Sequence, residues 1–132
     1  LREDKIRIGD LGESLVLKSL RKQYEDALTI EHVSKTEGDG CGYDIRVTLP
    51  DNQMIYIEVK TTKQSCRDGF YLTSNEYKIA KQCLNKKDIS YHIYRIYNLN
   101  LKKKTADLKI YYDFDNENYE LIPIRWIVNE KS

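Results

Sequence analysis

Apolar and polar positions alternate with a period of two over residues 43–49 and again over 54–61. Ile45, Val47 and Leu49 share one parity in the first run, leaving Asp44, Arg46 and Thr48 on the other. Ile55, Ile57 and Val59 do the same in the second run, leaving Tyr56, Glu58 and Lys60 opposite. Successive side chains of a strand point to opposite faces, so each run predicts a strand with one apolar face. Pro50-Asp51-Asn52-Gln53 between them is turn chemistry, and the pair predicts a hairpin. Bringing the two apolar faces together forces Asp44, Glu58 and Lys60 onto the same side. Opposing Val47 to Ile55 sets Asp44 against Glu58; opposing Val47 to Ile57 sets it against Lys60. Cross-strand neighbours lie about 5 Å apart, so either register gathers the three charges.

The rest of the chain reads in coarser strokes. Residues 6–25 carry a helical pattern with apolar positions on more than one side, Ile8, Leu11 and Leu15 on one and Ile6, Leu17, Leu20 and Tyr24 on another. Glu13 falls within the second stripe, since Leu17, Leu20 and Tyr24 all lie within roughly 40° of it on a helical wheel. A carboxylate on an apolar face requires a partner. Residues 28–33 predict a strand, and Glu37-Gly38-Asp39-Gly40-Cys41-Gly42 a tightly turned approach to Asp44. Phe70-Tyr71-Leu72 suggests a short strand. Thr73 opens a second helix, with Glu76 three residues on completing a capping box and Ile79, Ala80, Cys83 and Leu84 forming its buried stripe. Residues 90–98 predict a strong strand, in which Tyr94 differs in parity from Tyr91 and Tyr97. Residues 107–114 and 119–128 predict two more strands around the turn Asp115-Asn116-Glu117-Asn118. The order predicts an α/β fold, a mixed β-sheet flanked by helices, spanning residues 1–132 as a single domain.

Composition narrows the function classes. With 132 residues the chain suffices for one core and not for two. Its 22 basic and 21 acidic side chains leave a net charge of +1, so any contact with nucleic acid is a local patch and not a bulk field. Cys41, Cys66 and Cys83 are odd in number and widely spaced, which argues against a disulfide framework or a zinc site. A reducing compartment is expected, cytoplasmic or, in a eukaryote, nuclear. No apolar run reaches the roughly 18 residues of a membrane span, so no membrane partner is expected. The chain opens on Leu1, and a fragment of a larger protein is expected.

The charge cluster carries the chemistry. Drawing two carboxylates and an ammonium out of water costs several kcal/mol each, roughly, unless something compensates. A divalent cation compensates. Asp44 and Glu58 supply hard oxygen ligands suited to Mg²⁺ or Mn²⁺, and Lys60 stands one strand repeat beyond. Glu13 is the helix-borne acid that would join them. A Glu-x-Lys on a strand is by itself usually a solvated face; the convergence of Asp44 and the apolar setting of Glu13 make this one different. Glu76 is read as a helix cap, His32 and His92 as ordinary strand residues, and Cys41 has no adjacent base to make it a nucleophile. Lys102-Lys103-Lys104, Lys86-Lys87, Lys63 and Arg67 are candidate phosphate contacts, against the plainer reading that they solubilise turns.

Gly42-Tyr43-Asp44-Ile45 followed by Ile57-Glu58-Val59-Lys60 resembles the PD-(D/E)xK nuclease superfamily. Adding Gly12-Glu13, Gly40-Cys41, Thr61-Thr62, Phe70-Tyr71-Leu72-Thr73-Ser74-Asn75-Glu76 and Tyr94-Arg95-Ile96-Tyr97-Asn98, the chain resembles the nuclease-like C-terminal domain of NO VEIN-type proteins over roughly residues 6–100. The resemblance implies a restriction-endonuclease-like core and hydrolysis of phosphodiester bonds in nucleic acid, DNA in particular. It implies Asp44 and Glu58 as ligands of Mg²⁺ or Mn²⁺, Glu13 as a further acidic ligand, and Lys60 as the catalytic lysine. The proline that names the motif is replaced by Tyr43, at a position with no chemical role. The resemblance further implies a homodimer and helicase or ATPase domains in the parent protein. The competing reading is a catalytically inactive module of the same fold that binds nucleic acid or protein.

Overall fold

A computed structural model of the chain describes residues 2–65, 69–112, 119–124 and 128–131. Along the chain run α1 (Arg2–Gln23), β1 (Thr29–Glu31), α2 (Val33–Thr36), a single 3₁₀ turn (Asp39–Cys41), β2 (Ile45–Thr48), β3 (Met54–Thr61), α3 (Ser74–Leu84), β4 (Ile89–Asn100) and β5 (Thr105–Tyr111). The strands form one sheet in the order β1-β2-β3-β4-β5. Every neighbouring pair is antiparallel except β3 and β4, which are parallel. A parallel pair needs a crossover connection, and α3 supplies it. The expected α/β architecture is therefore the one observed.

The two long helices, α1 and α3, cover opposite faces. Val16, Leu17 and Leu20 of α1 pack with Ile45, Val47, Ile55, Ile57, Val59, Tyr94 and Ile96. Ala80 and Cys83 of α3 pack with Val33, Tyr43, Tyr91 and Ile93 on the other side. Tyr91 and Tyr94 thus serve different layers, as their parity requires. The β2–β3 register opposes Val47 to Ile55, which is the alignment that carries Asp44 to Glu58.

Several elements depart from expectation. Ile6 is exposed, so the apolar stripe of α1 begins closer to its middle. The strand expected at 28–33 stops at Glu31, and His32 instead precedes α2 as its N-cap. Phe70-Tyr71-Leu72 is irregular. Phe70 packs edge-on to Tyr111 with the Arg95 guanidinium 5.3 Å from its ring, so its apolarity serves side-chain packing. The hairpin partner of β5 is β4 and not a strand at 119–128. Residues 119–124 and 128 carry no strand, while 125–127 and the turn at 115–118 lie outside the described residues.

The contact of α1 with β3 rests on Gly12. A Cβ at that position would stand 1.9 Å from Thr61 Oγ1 and 2.8 Å from Thr61 Cβ. The obstacle is the root of a β-branched side chain, which has nowhere to swing. Gly9, one turn earlier, has nothing within 4 Å of such an atom. Gly12→Ala is therefore expected to destabilise the domain by about 1–3 kcal/mol through overpacking, despite a gain in helix propensity. Gly9→Ala should be neutral or stabilising by up to about 1 kcal/mol. Urea denaturation of both variants checks the pair; equal effects would show that helix–sheet proximity at Gly12 is not limiting.

Candidate active site

The site forms where β2 stops and β3 continues. Ile45 opposite Ile57 is the last paired position of β2, while β3 runs on to Thr61 with β4 still beside it. Asp44 bridges the break. Its backbone N–H donates to Ile57 O at 2.8 Å, and its carboxylate Oδ2 accepts the Val59 N–H at 2.8 Å. The side chain thus replaces the strand that has ended. Its approach is held from the α3 side. Gly42 sits at φ 80°, in the left-handed region, with Ile79 and Asn75 so close that a Cβ would clash. The buried Tyr91 hydroxyl donates to Gly42 O at 2.7 Å, and Asn75 Nδ2 donates to Gly40 O at 2.7 Å.

Glu58 is only 4% exposed and shares a hydrogen bond with Asp44. Burial pushes the Asp44 carboxyl up to about 6, against the pull of the Val59 N–H and with further upward pressure from the Glu13 charge. Burial and then the Asp44 charge push Glu58 further up in the same direction, against the pull of Lys60. Two acids that close cannot both ionise cheaply, and they hold a proton between them. Lys60 Nζ lies 3.4 Å from Glu58 Oε2.

Glu76 reaches the same group, which the sequence reading did not anticipate. Thr73 and Glu76 form the expected capping box of α3, with the Thr73 N–H donating to Glu76 Oε1 at 3.0 Å. The same oxygen accepts from Lys60 Nζ at 2.7 Å. His32 is the second such residue. Its Nε2 lies 2.8 Å from Glu13 Oε1, and Ser34 Oγ donates to the same oxygen at 2.8 Å. The Ser34 N–H also donates to Asp44 O at 3.1 Å, so one short segment ties the helix-borne acid to the strand-borne one. Glu13 thereby finds the partner its apolar setting demanded. Arg46, on the same strand face as Asp44, turns away to Glu31 at 2.7 Å and Glu37 at 3.2 Å.

The structure brings Glu13, Asp44 and Glu58 to the wall of one cleft of about 500 Å³, which Lys5, Thr61, Lys63 and Gln64 also line. Lys60 stands beside the pair, between it and α3. Among the described residues no three His, Cys, Asp or Glu side chains are grouped closely enough to grasp one ion together. Mg²⁺ needs fewer, because it keeps several waters and takes one or two carboxylates plus substrate oxygens. The donors available, a buried and a half-buried carboxylate hydrogen-bonded to each other, suit that chemistry. Cys41 is a free, partly buried thiol. Among the described residues no helix is long and apolar enough to cross a membrane.

No curated protein and no solved structure matches the chain. The family model described as "Protein NO VEIN, C-terminal" matches residues 12–112. That span takes in Glu13, Asp44, Glu58, Lys60 and Glu76 together with every strand of the sheet. The chain belongs to the family of NO VEIN C-terminal domains.

Proposed function

We propose that this domain is a divalent-metal-dependent nuclease of the PD-(D/E)xK type, hydrolysing phosphodiester bonds in nucleic acid, with DNA as the favoured substrate. One observation carries the reading: the buried Glu58 and the half-buried Asp44 are hydrogen-bonded to each other, at an energetic cost that neither the sheet nor the cores on either side require. Asp44 and Glu58 would hold Mg²⁺ or Mn²⁺, with Glu13 supporting from across the cleft. A cation bound there acidifies water and neutralises charge on the phosphate. Lys60 orients the attacking water and stabilises charge developing on the phosphate oxygens. Glu76 keeps the Lys60 ammonium from collapsing fully onto Glu58, by offering the shorter of its two contacts. The competing reading, an inactive module of this fold, gains support from the same lysine, which already has two carboxylate partners.

Calorimetric titration with Mn²⁺ and Mg²⁺ separates the two. The wild type is expected to bind, and the Asp44→Ala/Glu58→Ala variant to show no heat; a folded wild type that binds neither ion would favour the inactive module. Glu58→Ala should lower DNA cleavage by roughly 100-fold or more while leaving the circular-dichroism spectrum intact.

Stability without metal should fall as pH rises. Acids whose folded pKa is raised favour the fold while protonated, so the contribution is complete below the ordinary 3.8 of Asp44 and is lost as pH climbs through about 6. The loss should be about 3 kcal/mol across that range, and Glu58 extends it to higher pH. Denaturant midpoints at pH 5 and 8 in chelator, compared with those of Asp44→Asn/Glu58→Gln, test this. The double variant should lose the decline and be the more stable protein at pH 8.

Glu76→Gln keeps a capping box, since Gln serves at that position, but removes the charge from Lys60. The melting temperature should stay within about 2 °C, corresponding to less than about 0.5 kcal/mol. Cleavage should fall about tenfold, about 1.4 kcal/mol in the barrier, with Mn²⁺ affinity nearly unchanged. A variant that loses stability in step with activity would make Glu76 a cap alone.

A further inference from the structure

The candidate phosphate contacts of the sequence are sorted by the parallel pairing of β3 and β4. Their register runs from Met54 beside Ile89 to Thr61 beside Ile96. Lys86 and Lys87 precede Ile89 and so stand at the start of β3. Lys60 pairs with Arg95, six residues further along β4, or about 20 Å away at 3.3 Å per residue. Lys102, Lys103 and Lys104 stand at the other end. β4 continues four residues past Ile96 to Asn100, and the chain leaving β3 follows it only as far as the bonds of Thr62 and Gln64 to Leu99 and Asn98, so the tip of the β4–β5 hairpin stands beyond the end of β3. The overhang is at the end of the sheet that carries Glu58 and Lys60. Arg67 lies outside the described residues.

The hairpin is built and not frayed. A register shift between Tyr97 and Asn100, with Asn98 at φ 52°, puts a bulge in β4 beside Gln64, a residue that lines the cleft. Bulges bend and twist a strand locally. Asn98 fixes this one, donating from its backbone N–H to Gln64 O at 2.8 Å and from Nδ2 to Asp107 Oδ2 at 2.9 Å. At the tip, Asn100 Oδ1 accepts the N–H groups of Lys102 at 3.1 Å and Lys103 at 3.0 Å. Lys104 adopts φ 54°, a conformation that glycine or asparagine takes more easily. A turn that keeps a lysine there, behind two other exposed lysines, favours charge over backbone ease. Lys5 and Lys63, both exposed, continue the basic character along the lining of the cleft itself.

We infer that the overhanging β4–β5 hairpin, through Lys102, Lys103 and Lys104 with Lys63 and Lys5 below it, is the surface that grips the phosphate backbone of nucleic acid entering the cleft. Lys86 and Lys87 take no part. The inference rests on the nuclease-type reading for the choice of nucleic acid as partner. The contacts would be sequence-independent, because flexible ammonium groups read charge and not base edges.

The test is fluorescence anisotropy with a labelled 20-base-pair DNA duplex, in chelator so that cleavage plays no part, between 50 and 200 mM salt. Lys102→Ala/Lys103→Ala/Lys104→Ala should weaken binding about tenfold or more at the lower salt. The slope of log K against log salt should also shrink by roughly 2 to 3, at about 0.9 per lost contact. Lys86→Ala/Lys87→Ala should stay within about twofold of wild type. Equal losses in the two variants, no loss in the hairpin variant, or no binding by wild type at 50 mM salt would each overturn the inference. Stronger hairpin-dependent binding to phosphatidylserine vesicles than to the duplex would also overturn it. Hairpin-dependent DNA binding by a protein that never cleaves, with Mn²⁺ present, would overturn the nuclease reading and leave this surface standing.

Discussion

β2 ends before β3 does, and the Asp44 carboxylate closes the gap by taking the Val59 N–H. A backbone donor left at a strand end inside a protein must find an acceptor, and the choice of a charged one has consequences in every direction. It fixes an acid at the plane of the sheet, where neither helix layer fully covers it. Glu58 is then obliged to meet it across the hairpin. Because the gap lies between layers, α1 can offer Glu13 from one side while α3 offers Glu76 from the other. The supports follow the same logic: Gly42 admits the close approach of α3, Gly12 the close approach of α1, and Ser34 joins Glu13 to the backbone of Asp44.

The energetic character of the site sets it apart from the two cores. Elsewhere the buried residues are mostly aliphatic and aromatic, with His92 and Arg95 as polar exceptions, and the buried tyrosine hydroxyl of Tyr91 has a carbonyl to serve. At Asp44 and Glu58 burial raises the cost of ionisation without a full set of opposite charges to offset it. Lys60 is a partial answer, divided between two carboxylates. A fold selected for stability alone would place apolar groups of similar volume here.

Much of this was legible in the sequence because strand periodicity is unforgiving. A slip of one residue would turn Ile55, Ile57 and Val59 to the wrong face, so the alternation and the Pro50–Gln53 turn together settle the hairpin and the meeting of Asp44 with Glu58. The Thr73–Glu76 cap was legible for the opposite reason, being wholly local. Glu76 and His32 show where reading stops. The cap accounts for Glu76 so completely that nothing in the chain hints at Lys60, sixteen residues earlier. His32 follows a strand-like run, and only the packing of α1 reveals that it faces Glu13. Phe70 was misread because three apolar residues satisfy a strand and a packed loop equally well.

The sharing of Glu76 Oε1 between the Thr73 N–H and the Lys60 ammonium joins two events that proteins often keep apart. Helix nucleation is the improbable step in forming α3, and the cap is part of what secures it. The lysine is therefore positioned only in a molecule whose third helix has closed its first turn, and fraying of that turn releases both contacts together. A chain still emerging, misfolded or partly unfolded carries Asp44, Glu58 and Lys60 but leaves the ammonium free to settle onto Glu58. Whatever chemistry the carboxylate pair performs, completion of the fold is the condition under which it can begin.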